Sequence, residues 1–213
     1  MPIIVCAARH TIQKMRVIAG TYRSRQLLAP KGMQTRPTSD RLRETLFNIL
    51  APRMEGCRFV DLYAGTGAVG IEALSRGAAH VWFAENAAPA LASMKANLAT
   101  LKVERGFTVE DRGVGAMLQR LAKLTQPIDV IFLDPPYEAE AEYTETLGFL
   151  GSARGRQLLA ADALVIAEHG SKTKLAGRYG ALVQTRVVKQ GDASLSFFAF
   201  PAEEKTLPPD AGQ

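Results

Sequence analysis

From Phe59 onward the chain alternates short apolar runs with stretches whose apolar residues recur every three or four positions. The runs are RFVDLY, HVWFAE, FTVE, DVIFLD and ALVIAE. Rich in Val, Ile and aromatic residues and bounded by turn residues, they predict strands, and the stretches between them predict helices. The clearest helix follows HVWFAE, with Leu91, Met94, Leu98 and Leu101 on one stripe, Pro89 in its first turn and Asn97 outside the stripe. Such βα alternation predicts an α/β fold with a parallel, doubly wound sheet. Two elements precede it. Arg16 to Ala19 and Gln26 to Leu28 read as short strands around the turn-rich GTYRSR, a small basic β-hairpin. Ser39 or Asp40 then caps a helix with Leu42, Leu46, Ile49 and Leu50 on one face and Arg41, Arg43 and Glu44 on the other, ending before Pro52. The chain closes with ALVQTRVVKQ and SLSFFAF, a hairpin pattern turned at Gly191 and Asp192. Four parts result: an extension over 1–14, expected to be dispensable, a basic hairpin over 15–35, the main domain over 36–200, and a disordered tail over 201–213.

Composition narrows the classes. The 213 residues are 47% hydrophobic, which suits one globular domain. No apolar stretch approaches the roughly 20 residues of a membrane span, and the N-terminus lacks the pattern of a secretory signal. Cys6 and Cys57 are the only cysteines, without CxxC spacing or clustered His, so no disulfide framework or metal site is expected and a reducing cytoplasm is the natural compartment. Residues 1–60 carry eleven Lys and Arg against three Asp and Glu, while the remainder is mildly acidic. An electropositive surface built from the N-terminal quarter alone follows, suited to a polyanion or simply to water.

The first chemical motif is Asp61-Leu-Tyr-Ala64-Gly65-Thr66-Gly67-Ala-Val-Gly70, between a predicted strand and a predicted helix. Its glycines let the backbone turn tightly and approach a ligand closely. Alone it does not separate a dinucleotide from an adenosyl cofactor, since both use an acid at the end of the second strand for ribose hydroxyls, here Glu85 followed by Asn86. Asp61 tilts the choice: an acid there meets the cationic amino group of a methionine but repels a pyrophosphate. Its competing role is to cap the following turn.

The second motif, Asp134-Pro135-Pro136-Tyr137, follows the strand IDVIFL at the same carboxyl edge. Two prolines fix the backbone, holding the Asp134 carboxylate and a neighbouring carbonyl where a ring-attached amino group can donate its hydrogens. Tyr137 offers a stacking face for a nucleobase rotated out of its helix or loop. The chemistry is in-line displacement at a methyl carbon, with no metal, and S-adenosyl-L-methionine leaving as S-adenosyl-L-homocysteine.

These blocks, with MRVIAGTYRSRQL, RPTSDRLRETLFNIL and NLATLK, resemble the bacterial 16S rRNA guanine-N2 methyltransferases of the small-subunit guanine-966 type, over about residues 15–200. The resemblance implies a class I methyltransferase fold with a seven-stranded sheet whose last strand is inserted antiparallel. It implies RNA contact by Arg16, Arg23, Arg25 and Arg36, and a place near the cofactor for Thr38. The implied partner is 16S rRNA in an assembled or nearly assembled small subunit, met by a monomer in the cytoplasm. One departure follows the third strand, where the family has Asp or Asn and then a small residue. Gly113-Val114 stands here, so adenine recognition falls to backbone groups and to Asp111 or Arg112. His10, His80 and His169 have no paired acid and are expected to be structural.

Three other readings stay open. A DNA adenine-N6 methyltransferase uses a similar proline turn, but only 67 positions separate Gly67 from Asp134, leaving little room for a target-recognition domain. A nicotinamide oxidoreductase leaves Asp61 and the proline turn unexplained. A non-catalytic RNA-binding assembly factor would keep the pocket as a vestige.

Overall fold

The computed structural model describes residues 15–29, 39–136 and 140–201. The expectations placed on residues 1–14, Arg36, Thr38, Tyr137 and residues 202–213 lie outside the described residues.

Eight strands form one sheet: β1 (Arg58–Leu62), β2 (His80–Ala84), β3 (Phe107–Glu110), β4 (Ile128–Leu133), β5 (Leu159–Gly170), β6 (Arg178–Tyr179), β7 (Leu182–Gln190) and β8 (Ala193–Ala199). Their order is β3-β2-β1-β4-β5-β8-β7-β6. The first five run parallel, as crossover helices require. β8 enters antiparallel between β5 and β7, and the two-residue β6 adds a short edge to the seven strands expected.

Strand alternation sorts the core into two layers. Phe59, Phe83, Phe132, Ile166 and Phe197 face one side, and Val60, Trp82, Ile131, Val165 and Phe198 face the other. Helices α1 (Asp40–Leu50), α2 (Ala68–Ser75) and α3 (Ala88–Thr100) contribute to the first layer, and α4 (Val114–Leu121) and α5 (Glu140–Leu150) to the second. A one-turn helix α6 (Ala153–Arg156) leads into β5. Ser39 caps α1, its hydroxyl accepting from the Leu42 amide at 3.2 Å.

Residues 15–29 differ from the hairpin expected. One antiparallel bridge, Arg16 to Gln26, replaces two paired strands. Backbone bonds from Val17 to Arg25, Ser24 to Val17 and Leu27 to Met15 still join its two arms, and the segment also bonds to the body of the domain. Ile18 and Ala19 donate to the Glu72 carboxylate at 2.7 and 3.0 Å, Tyr22 to the Ser75 hydroxyl at 2.9 Å, and Leu28 to the Asn97 side-chain oxygen at 2.6 Å. The segment therefore roofs α2, which explains why that helix is buried on nearly every side.

Arg43 corrects a second expectation. It belongs not to an exposed face of α1 but to the interior, with 0% of its surface accessible. It donates to the Arg16 carbonyl at 2.6 Å and to Asp40 at 2.7 Å, so the roofing segment closes over it.

Candidate active site

The sheet order reverses between β1 and β4, and the crevice beyond the carboxyl ends of such neighbouring strands is where open α/β sheets bind ligands. Leu62 and Leu133 are in register there, so the glycine turn and the proline turn leave the sheet side by side. β5 lies next to β4, with Ala167 beside Leu133, and Glu168 follows at the same edge.

The turn after β1 is held from several directions. Asp61, 1% exposed, accepts the Gly70 amide at 2.8 Å and so caps the start of α2, the role that competed with ligand binding in the sequence. Gly65 has φ +56, and no atom lies within 4 Å of where a Cβ would point, leaving open space on that side of the turn. Its amide donates to Glu85 at 2.8 Å, and the other Glu85 oxygen accepts from Ala87 at 2.7 Å. Each carboxylate oxygen has a second lone pair, so Glu85 can tie the turn to β2 and still accept a hydroxyl. Thr66 touches Met15: its hydroxyl lies 3.7 Å from the sulfur, and its carbonyl accepts from Asn97 at 3.0 Å. Ala64 and Gly67 are buried beneath the turn.

Acidic groups gather at this edge. Burial, with Glu85 and Glu168 nearby, pushes the Asp61 carboxyl up to about 7 against the Gly70 hydrogen bond. Asp134 is raised well above the carboxylate range, by burial first and then by Glu168 and Asp61. Glu168 is 2% exposed. Three acids thus meet at the ends of β1, β4 and β5, with Arg43 the buried cation that feels Glu168. Among the described residues, no group of three or more His, Cys, Asp or Glu is placed to hold a metal ion. The arrangement can accept an organic cation, whose charge would offset the mutual repulsion of the acids.

Other expected residues stand apart from the cluster. Pro135 is buried and Pro136 exposed beside Asp134. Asn86 lies against Gly113, whose φ is +88 and whose hypothetical Cβ would sit 3.3 Å from the Asn86 amide nitrogen. Val114 opens α4 and packs on the second core layer. Arg112 is turned away, bonding Glu110 at 2.7 and 3.1 Å, with Arg120 on the same carboxylate at 3.2 Å. Arg23 and Arg25 are exposed on the roofing segment, and Arg16 reaches Asp40 at 3.7 Å. His169 is structural, bonded to Ser196 at 2.8 Å. Glu168 and the roles of Arg43 and Asn97 escaped the sequence reading. Only the acid ending ALVIAE, at the same strand position as Asp134, could have signalled the first.

Residues 15–199 match the model of the family described as conserved hypothetical protein 95. The chain belongs to that family. Relatives include YlbH of Bacillus subtilis, named for rRNA methylation, 36% identical over 86% of this chain and 98% of that protein. Ribosomal RNA small subunit methyltransferase D of Escherichia coli K12 is 39% identical over 58% of this chain and 61% of its own length, a match to less than two thirds of that relative. Among solved structures, the E. coli protein yhhF, named as a methyltransferase, superposes with TM-score 0.71 and 32% identity, covering 88% of this chain and 98% of its own. A protein of Thermus thermophilus gives TM-score 0.71 at 28% identity, over 85% and 97%. The family match begins at Met15, the first residue of the roofing segment.

Proposed function

We propose that this protein is an S-adenosylmethionine-dependent methyltransferase acting on the exocyclic N2 amine of a guanine in small-subunit ribosomal RNA. The observation that carries the reading is the acid cluster of buried Asp61 and Glu168 with half-buried Asp134 beside the open glycine turn. S-adenosylmethionine, when bound, supplies an electrophilic methyl on a cationic sulfur, and its ammonium adds a second positive charge. Asp61, Gly65 and Glu85 would hold it, with Ala64, Thr66 and Gly67 shaping the turn, Asn86 and residues 112–114 at its adenine end, and Thr38 over it.

Asp134 and the fixed carbonyls of the proline turn would receive the hydrogens of the target amine and aim the nitrogen lone pair at the methyl carbon. As nitrogen gains the methyl it becomes positive, and the Asp134 carboxylate stabilises that charge where water is excluded. The surplus proton then leaves the nitrogen, and a carboxyl held well above its ordinary range is suited to receive it. Tyr137 would stack on the extruded base, and Arg16, Arg23, Arg25 and Arg36 would engage the phosphates around it. The names carried by YlbH and by methyltransferase D support an rRNA substrate.

The decisive assay incubates the protein with methyl-labelled cofactor and small subunits from a strain lacking the enzyme, then maps the modified nucleoside by mass spectrometry. N2-methylguanosine in the small-subunit RNA is expected. Methyladenine in duplex DNA with none in the subunits would overturn the substrate assignment. Asp134→Ala should lower turnover by ~10²–10³ while S-adenosylhomocysteine still binds by calorimetry. Unchanged turnover would remove Asp134 from the chemistry.

A further inference from the structure

The sequence places the positive surface in the N-terminal quarter, yet residues 171–190 hold Lys172, Lys174, Arg178, Arg186 and Lys189 with no Asp or Glu. All five are exposed. Lys172 and Lys174 lie on the loop that leaves β5 at Gly170, where the Thr173 amide donates to the Gly170 carbonyl at 2.9 Å. Arg186 and Lys189 lie on β7, which beyond its two-residue pairing with β6 is the outer strand of the sheet. Arg178 sits at the opposite end of the sheet and stands apart from the other four.

Registry locates these cations against the site. Val187 pairs with Ser196, Ser196 with Ala167, and Ala167 with Leu133, the residue before Asp134. Lys189, paired with Ser194 and through it with His169, therefore stands just past the level of Asp134. Three strand spacings, about 14 Å, separate it from the proline turn. Arg186 shares the α1 side of β7 with Val188, which packs on the first core layer, and Lys189 takes the other side. Helix α1 links this edge to the basic N-terminal segment: Thr45 donates to Gln190 of β7 at 2.8 Å, and Arg43 holds the Arg16 carbonyl. Arg41, one turn before Thr45 and exposed, continues the positive line, with Glu44 the exposed acid of the same helix. Glu142 and Glu145 of α5 act elsewhere, both on Tyr63 after β1.

We propose that Lys172, Lys174, Arg186 and Lys189 form a second RNA-backbone surface, which receives phosphates flanking the target base on the side opposite the Arg23 and Arg25 segment. The inference rests on the function proposed above and names how its substrate is gripped. Charges on an outer strand also prevent edge-to-edge association. That role accounts for Arg186 and Lys189 but not for Lys172 and Lys174, which lie on no strand edge. Polycation contact with a phosphate backbone is salt-dependent, log K falling by about 0.7 to 0.9 per phosphate neutralised for each decade of salt.

The test compares the full chain with a variant carrying Lys172→Gln, Lys174→Gln, Arg186→Gln and Lys189→Gln. A control of equal charge loss carries Lys95→Gln, Lys102→Gln, Arg105→Gln and Lys123→Gln. Binding to purified small ribosomal subunits is measured across salt, with S-adenosylhomocysteine affinity and oligomeric state measured alongside. The expected result is subunit affinity lower by about tenfold or more near physiological salt, a salt slope shallower by about 3, and unchanged S-adenosylhomocysteine affinity. The control should keep most of its binding, and Arg186→Lys with Lys189→Arg should bind as wild type. Equal loss in variant and control, unchanged subunit affinity, or self-association without a change in affinity would each overturn the proposal. Subunit binding without methyl transfer by the unaltered chain would sink the enzymatic reading and leave this surface standing. Methyl transfer with a variant indistinguishable from wild type would do the reverse.

Discussion

Asp61 shows how one buried acid can serve both the fold and a ligand. Its carboxyl is held at about 7 against an ordinary 3.8, so the folded chain binds an extra proton between those values. With no ligand bound, its contribution to stability therefore falls as pH rises through that window and is lowest above about 7. The ammonium group of a bound ligand, present in S-adenosylmethionine and S-adenosylhomocysteine alike, favours the ionised form and reverses that penalty. Binding of S-adenosylhomocysteine at pH 7, followed by calorimetry in buffers of differing ionisation enthalpy, should release a fraction of a proton that Asp61→Asn abolishes. No release, or the same release from the variant, would contradict the assignment. Gly70 makes a different point. A Cβ there would lie 2.2 Å from the Phe83 ring, so Gly70→Ala should cost ~1–3 kcal/mol of stability in thermal melts, and a neutral melt would show that the packing yields. The glycine pattern was visible in the sequence, but not that its last member serves helix-to-sheet packing. Cys57 is buried in the core, and burial pushes its thiol up to about 12.

Strands and helices were legible because their apolar period needs no partner to be seen. RFVDLY, HVWFAE, FTVE and DVIFLD each contain one strand of the parallel core, and Pro89 opens α3 as its position implied. The roofing segment was not legible as it stands, since its bonds go to side chains 53 to 69 positions away. Glu72, Ser75 and Asn97 look like ordinary polar helix residues until their partners are placed. Asn97 matters most, because it grips both backbone groups of Leu28 and the Thr66 carbonyl of the glycine turn. Asn97→Ala leaves those groups without their partner, at ~1–3 kcal/mol for a buried group. Hydrogen exchange at the Leu28 amide should accelerate while β4 amides keep their relative protection. Equal acceleration at both would indicate general destabilisation instead.

At the scale of the molecule, both chemical motifs reach one crevice because β1 and β4 are neighbours, a juxtaposition that the 66 residues between Gly67 and Asp134 conceal. The Asp61, Asp134 and Glu168 cluster needs three strands to be ordered β1-β4-β5, which no local pattern encodes. The family match begins at Met15, which is buried in the core. Removing residues 1–14 should therefore leave the melting temperature and methyl transfer within error of the full chain, and a large fall in either would assign those residues a part.

The antiparallel β8 carries a consequence for biosynthesis. Among the described residues it is the last strand in the chain, yet it occupies the slot between β5 and β7. Until translation passes Ala199, Val165–Gly170 of β5 lack their neighbour on that flank. A nascent or prematurely terminated polypeptide would therefore expose a long, Val- and Ile-bearing ribbon able to recruit other chains. The sheet closes only once β8 has been made, and nonsense truncations in the β7–β8 hairpin should appear in inclusion bodies rather than as weakened enzyme.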